Sequence, residues 1–153
     1  PWGCGVGGAF VGGLEVDQYG NLNTTLLGDP RGQFRHMIGS GGANDIASCA
    51  KRTIIIMRHE ARKLNNTISF ITSPGYLTGG SGRAKAGLRG GPSKVITDKA
   101  IFGFHPETRE LALESVHPGI TLDEVRSTMG FSPLMPSVRA TYPRRQLASR
   151  WRK

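Results

Sequence analysis

The first candidate for a chemical role in this sequence is a glycine-rich loop at 39–45, within the stretch "GSGGANDIAS". A phosphate-binding P-loop would place a lysine after the glycines, and a dinucleotide fingerprint would place a third glycine where Asn44 stands. Neither pattern is met. What remains is a turn whose backbone N–H groups are unshielded by side chains, and such amides suit an anion or a developing oxyanion. For the loop taken alone, a purely structural turn is the alternative.

A second candidate is the turn in "GGLEVDQYGNLNTT", residues 12–25. Glycine and asparagine tolerate positive φ, so Gly20, Asn21 and Asn23 are predicted to shape a tight turn at the end of a strand. Ligands of open α/β sheets bind at the carboxyl ends of strands. We therefore expect these residues to line a cleft beside the glycine loop.

A third candidate follows the apolar run "TIIIM" at 53–57, where His59, Glu60 and Lys63 come just after a predicted buried strand. His59 is predicted to line the same cleft, because it would lie at the carboxyl end of that strand. The alternatives are a surface or hydrogen-bonded histidine and two solvated charges. Lys63 facing a phosphate is a further possibility.

The elements that would position these residues indicate an α/β fold. "TIIIM" lacks polar alternation, which is typical of a strand buried on both faces in a parallel sheet. Thr121 and Glu124 form a capping-box pattern at the start of the clearest helix. Segment 79–92 is predicted as a long flexible loop, and Asn44 or Asp45 as the cap of a short helix. The predicted strands are 9–16, 53–57, 67–74, 93–104 (two strands with a turn at 97–98) and 110–116; the predicted helices are 45–52 and 121–131. This makes an open, mostly parallel sheet with too few helices to cover both faces, so we expect a partial domain completed from outside.

Charge is concentrated at one end of the chain. The net charge is +9, yet residues 139–153 contain six Arg or Lys and no acid, leaving 14 basic and 11 acidic residues elsewhere. We therefore expect a domain at 1–138 and a basic, flexible tail at 139–153. This distribution argues against nucleic acid as a partner, although a tail that binds polyanions is an alternative.

Two cysteines, Cys4 and Cys49, make neither a disulfide framework nor a metal-ligand spacing, so we expect no metal site and a cytoplasmic location. No segment reaches the roughly 18 apolar residues of a membrane span, and no signal peptide opens the chain. The sequence starts without Met, close to a predicted strand. This start predicts a piece of something longer.

Six blocks, in order, resemble the β subunits of family I coenzyme A transferases, and most of all the glutaconate CoA-transferase β subunit. The resemblance spans roughly residues 8 to 133. It implies an α/β fold of the CoA-transferase type, acyl-CoA thioesters as substrates without a permanently bound cofactor, and an α-type subunit or a second copy as partner. The blocks are "GGLEVDQYGNLNTT", "GSGGANDIAS", "TIIIMRHEARK", "ITSPGYLTGG", "VITDKAIFGF" and "HPGITLDEVRSTMGF".

The resemblance also gives the glycine loop a role. In that family the matching loop borders the active site, and its amides help to hold the thioester carbonyl or its oxyanion. This implies a substrate loop of Gly39, Gly41, Gly42, Ala43 and Asn44. Gly41 and Gly42 are the positions where a Cβ would hold the substrate away.

The family's nucleophile, however, cannot be assigned. These enzymes attack the acyl-CoA with a glutamate carboxylate from an upstream segment. None of the six glutamates here stands in a matching motif, so no catalytic residue is identified in this chain. The rival hypotheses are a related C–C hydrolase of cyclic-ketone CoA thioesters, a truncated paralogue that serves as a binding module, and the polyanion-binding tail. The glutamates lie at 15, 60, 107, 110, 114 and 124.

Overall fold

The computed structural model describes residues 6–135, in which short strands outnumber helices. The helices are Ala43–Cys49 (α1), Gly82–Lys85 (α2) and Leu122–Ser127 (α3). The strands are Ala9–Val11 (β1), Glu15–Val16 (β2), Leu22–Asn23 (β3), Leu26–Gly28 (β4), Phe34–His36 (β5), Thr53–Ile56 (β6), Pro92–Ile96 (β7), Ala100–Phe104 (β8) and Leu111–Val116 (β9).

Five of these strands form one open sheet in the order β1-β6-β7-β8-β9. β6 is parallel to both β1 and β7, whereas β8 is antiparallel to β7 and to β9. The turn predicted at Thr97 joins β7 to β8, with the Thr97 amide donating to the Ala100 carbonyl over 2.9 Å. The predicted α/β class is confirmed. The sheet is mixed, and its parallel part comprises β1, β6 and β7.

One face of the sheet carries the core. A row of side chains crosses all five strands in register and is at most 8% exposed, and α3 covers it with Val125, which is fully buried. The row consists of Val11, Ile55, Val95, Phe102 and Leu113.

The opposite face is open at its β1 and β6 side, which corrects the expectation that "TIIIM" is buried on both faces. Phe10 is 71% exposed and Ile56 is 50% exposed, while Ile55, whose side chain points to the other face of the sheet, is buried. An unbroken apolar run cannot show which face a neighbour covers. Within residues 6–135, the second cover that such a run predicts is missing.

Several predicted elements also differ from the structure. The predicted strand at 9–16 is broken at Gly12–Gly13 into β1 and β2, and segment 67–74 forms no strand, only an isolated bridge from Ser73 to Leu22. Segment 79–92 contains α2 and is not simply a flexible loop. Helix α3 ends at Ser127, although Thr121 caps it as predicted by accepting from the Glu124 amide over 3.2 Å. The predicted tail at 139–153, and with it the domain boundary, lies outside the described residues.

Candidate functional site

Hydrogen bonds hold the glycine loop next to the turn that the sequence analysis predicted to lie beside it. The Gly39 amide donates to the Thr24 carbonyl over 3.0 Å, and the Ala43 amide donates to the Ser40 carbonyl over 2.9 Å. Gly39 has φ +81° and Gly41 has φ +48°, values that L side chains rarely adopt, so glycine is required there. The loop is therefore a shaped turn tied to the core at Thr24.

Two amides at the tip of this loop are free. No acceptor among residues 6–135 is bonded to the N–H of Gly41 or Gly42, and both glycines are exposed. A Cβ built at either position would meet nothing within 4 Å. These two donors can approach an external oxygen closely, which is the chemistry predicted for the loop.

Helix α1 starts at Ala43 without a side-chain cap, which corrects the prediction that Asn44 or Asp45 caps it. Its N-cap is Gly42, with φ −82°. The Asn44 side chain instead donates from Nδ2 to the Thr72 carbonyl over 2.6 Å. Asn44 therefore anchors the loop to the segment at 72–75.

Asn21 and Asn23 support the site from inside the protein, because both are fully buried. The Asn21 carboxamide accepts from the amides of Gly75 and Leu77 and donates to the Leu77 carbonyl. Gly20, at φ +72°, leaves no room for a Cβ, which would come within 2.7 Å of Phe104. The assignment of these residues to the lining of a cleft is therefore corrected, since in residues 6–135 they are packed interior groups.

A chain of hydrogen bonds runs from a buried carboxylate to the loop. Asn23 Nδ2 donates to Glu15 Oε2 over 2.6 Å, and the Thr72 hydroxyl lies 3.5 Å from Asn23 Oδ1. The Thr24 amide donates to Thr72 Oγ1 over 2.9 Å, and the Thr72 carbonyl receives Asn44. Thr72 thus joins Asn23 and Thr24, which lie 49 and 48 positions away, to Asn44 in the loop, which lies 28 positions away.

The same hairpin holds a second buried carboxylate, Asp17. It accepts from the amides of Tyr19 and Asn21, both at 2.9 Å, and from Asn21 Nδ2 at 2.7 Å. Burial raises the pKa of Asp17, although the hydrogen bonds from Asn21 and Tyr19 act in the opposite direction. Its position inside the turn makes Asp17 a supporting group for Asn21.

His59 is a core residue and does not line an open cleft, which corrects its assignment. It is 3% exposed and stacks on Phe102 at 5.9 Å between ring centroids. Nε2 lies 3.0 Å from the Val125 carbonyl, which can only accept, so Nε2 carries the proton and Nδ1 lies 3.0 Å from Thr97 Oγ1. Burial lowers the pKa of His59, against the opposing effect of the Val125 carbonyl. The imidazole therefore joins α3 to the end of β7.

Glu60 and Lys63 are the solvated charges that the alternative described. Glu60 pairs with Arg62 at 2.6 Å and with Lys63 at 3.5 Å. The hydrogen bond from Arg62 lowers the pKa of Glu60. These contacts are local, and no contact joins the pair to the glycine loop within the described residues.

Arg83 is the residue that sequence reasoning missed. It is 2% exposed, and its guanidinium donates only to main-chain carbonyls, among them Ala47 at 2.6 Å in α1 and Pro74 at 2.7 Å. Burial lowers the pKa of Arg83. The Arg83 guanidinium thus connects α1, which follows the glycine loop, to the segment at 74–75, whose Gly75 amide Asn21 also binds. The only signal in the sequence was an arginine in a glycine-rich segment, and that position does not by itself predict burial.

In the range of residues 6–135, no three His, Cys, Asp or Glu side chains group closely enough to hold a metal ion. No helix in it is long and apolar enough to span a membrane.

Comparison with known proteins identifies the class of protein that this fold and loop define. The model of the coenzyme A transferase family matches residues 3–128, so the chain belongs to the coenzyme A transferase family. The resemblance seen in the six sequence blocks is thereby confirmed.

Particular relatives are components of such enzymes. The β subunit of glutaconate CoA-transferase of Acidaminococcus fermentans is 42% identical over 125 residues, covering 80% of this chain and 47% of that protein. The β subunit of 3-oxoadipate CoA-transferase of Pseudomonas knackmussii is 38% identical over 124 residues, covering 80% of this chain and 48% of that protein. The crystal structure of glutaconate CoA-transferase from A. fermentans matches with a TM-score of 0.78 at 38% identity, covering 89% of this chain and 54% of that chain. The chain spans about half the length of the curated relatives that it matches.

Proposed function

We propose that this chain is a β-type component of a CoA-transferase that moves CoA between an acyl-CoA and a carboxylate. The observation that carries this proposal is the 42% identity with the glutaconate CoA-transferase β subunit over 125 residues. The two relatives are named for glutaconate and 3-oxoadipate, both dicarboxylates, so a dicarboxylate is the acceptor class that we propose. The CoA thioester is a substrate and not a resident cofactor, and the enzyme acts in the cytoplasm.

In this proposal the glycine loop supplies oxyanion donors. A glutamate carboxylate attacks the thioester carbonyl, the C–S bond breaks, the CoA thiolate leaves, and an acyl-glutamyl anhydride forms. The thiolate then attacks the glutamyl carbonyl of the anhydride, which releases the product carboxylate and leaves CoA on the enzyme as a thioester. Each attack places negative charge on a carbonyl oxygen, and the free amides of Gly41 and Gly42 are the groups proposed to bind it.

The nucleophilic glutamate is proposed to come from outside this chain. Glu15 is 7% exposed and bonded to Asn23, whereas Glu114 and Glu124 are paired with lysines. None of the three lies free beside the glycine loop. An upstream segment or an α-type subunit would then complete the site.

Reconstitution tests the proposal. The full chain is mixed with the α-type subunit of a glutaconate-type CoA-transferase, with and without an upstream segment of the β type that contains the glutamate. Transfer of CoA from acetyl-CoA to glutaconate is followed by chromatography. We expect transfer only when the glutamate segment is present, and no turnover by the chain alone. A lack of transfer in every combination would contradict the function, and a hydroxylamine-sensitive glutamate on this chain would contradict the placement of the nucleophile.

A further inference from the structure

The hairpin formed by residues 26–38, called the arm below, lies at the surface of the described part of the protein, with residues 28–36 exposed. β4 and β5 pack chiefly against each other, and the arm's turn is closed by Asp29, whose carboxylate accepts from the Arg31 amide over 2.9 Å. β4 is anchored at both ends: Leu26 at the base of the arm is 7% exposed, and the amide of Gly28, next to the turn, donates to Ser69 Oγ over 3.3 Å. A two-stranded hairpin is only marginally stable alone, so a hairpin with so few contacts to the rest of residues 6–135 is suited to contact another chain.

The arm presents a fixed apolar surface. Phe34 is 45% exposed and Ile38 is 92% exposed. The Phe34 ring meets His36 edge to face at 5.0 Å between centroids, which holds the aromatic ring in place. Exposed, pre-positioned aromatic side chains are typical of the anchors of protein interfaces.

The positive charge of the arm limits the kind of partner that it can bind. Arg31 lies in the turn of the arm, and Arg35 follows Phe34 in β5, where strand alternation places its side chain on the opposite face of the arm. Both are exposed, and neither pairs with a carboxylate in the part of the chain that the structure describes. Two copies of the arm facing each other would bring these guanidinium groups together, and like charges across an interface are unfavourable. The charge pattern therefore favours a different chain with an apolar pocket and an acidic rim.

The arm also continues directly into the glycine loop. The Met37 amide donates to the Thr25 carbonyl over 2.7 Å, and the Gly39 amide donates to the Thr24 carbonyl over 3.0 Å. A partner bound to the arm would consequently lie next to the free amides of Gly41 and Gly42.

We propose that the arm is the docking element for the α-type subunit, with Phe34 and Ile38 in an apolar pocket and Arg31 and Arg35 against its acidic rim. This inference rests on the proposed function for the identity of the partner. It goes further by naming the surface and by making the glycine loop part of a site completed at that interface.

The test compares two matched double variants of the full chain. Phe34→Ser with Ile38→Ser removes the apolar surface of the arm, and Phe10→Ser with Ile56→Ser removes one phenylalanine and one isoleucine from the open sheet face. Binding to the α-type subunit of a glutaconate-type CoA-transferase is measured by calorimetry. We expect the arm variant to weaken Kd at least 30-fold and the sheet-face variant to change it less than threefold. All four residues are exposed, so both variants should keep the wild-type circular dichroism spectrum.

A charge variant provides an independent measurement. Arg31→Glu with Arg35→Glu leaves the apolar surface intact and should slow association at least tenfold at low salt, with the difference shrinking as salt is added. Binding that is unchanged in the arm variant, or lost in the sheet-face variant alone, would overturn the docking surface. A complex that needs the arm but transfers no CoA even when the upstream glutamate segment is present would support the surface and contradict the proposed function. No complex with the wild-type chain would overturn the docking proposal.

Discussion

The role of the free amides can be tested by adding side chains to the glycine loop without disturbing the core. Gly41→Val and Gly42→Val each place a branched side chain where a built Cβ meets nothing within 4 Å. Neither variant creates a clash inside the protein. Each hinders the approach of an external oxygen to its amide.

The expected cost to stability differs between the two positions. Gly41 has φ +48°, so a branched residue there is strained by about 1–2 kcal/mol. Gly42 has φ −82°, which any residue adopts, and its loss as N-cap costs at most about 1 kcal/mol. Gly119→Val is the matched control for Gly41→Val, because Gly119 has φ +90° and open space around it but lies in the turn before α3.

The expected effect on the rate is larger. One oxyanion donor stabilises the transition state by roughly 3 kcal/mol, which corresponds to about a hundredfold in kcat. Partial access would reduce this, so we expect a loss of at least about tenfold for both loop variants and less than about twofold for Gly119→Val. The complete enzyme built on this chain is assayed for CoA transfer, and melting temperatures are measured for the same preparations.

The comparison refutes the reasoning if Gly41→Val and Gly42→Val turn over within twofold of the wild type. The glycines would then serve only the turn. It is refuted equally if Gly119→Val loses as much activity as Gly41→Val, since backbone strain at a distant turn would then explain the loss.

Three further predictions concern the framework and the open face. The pKa of His59 is lowered in the fold, so the stability that the neutral imidazole contributes is present above its unfolded pKa of about 6.5 and is lost as pH falls below that value. Urea unfolding at pH 7.5 should show His59→Phe destabilised by about 2–3 kcal/mol relative to the wild type. Between pH 7.5 and pH 5, the free energy of unfolding should fall less for this variant than for the wild type. Arg83→Met should cost at least about 3 kcal/mol, because it leaves several buried carbonyls without a donor, whereas the exposed Lys85→Met on the same helix should cost less than about 0.5 kcal/mol in the same assay. The isolated chain should self-associate in sedimentation through its open sheet face, and Phe10→Ser with Ile56→Ser should reduce this; a monomeric wild-type chain would contradict the prediction.

Local sequence was sufficient for the elements whose signals are local. The strands β6 to β9 were predicted because β-branched and apolar runs are bounded by turn residues, and the Thr121 cap because its hydroxyl bonds an amide three residues away. The glycine loop was found because positive φ at Gly39 and Gly41 demands glycine whatever surrounds it. The ordered blocks were enough for the family, which the match over residues 3–128 confirms.

Tertiary structure decided which polar residues face inward. The His59 ring bonds the Val125 carbonyl 66 positions away, and the Asn21 side chain bonds the Leu77 amide 56 positions away. The Arg83 guanidinium bonds the Ala47 carbonyl 36 positions away. A sequence shows the donors and acceptors of a side chain but not the distant carbonyl that will meet them. Burial of a histidine, an asparagine or an arginine is stable only when such partners arrive together. For the same reason the run "TIIIM" determined a strand, while only the assembly of the core from several distant elements decided which of its faces became buried.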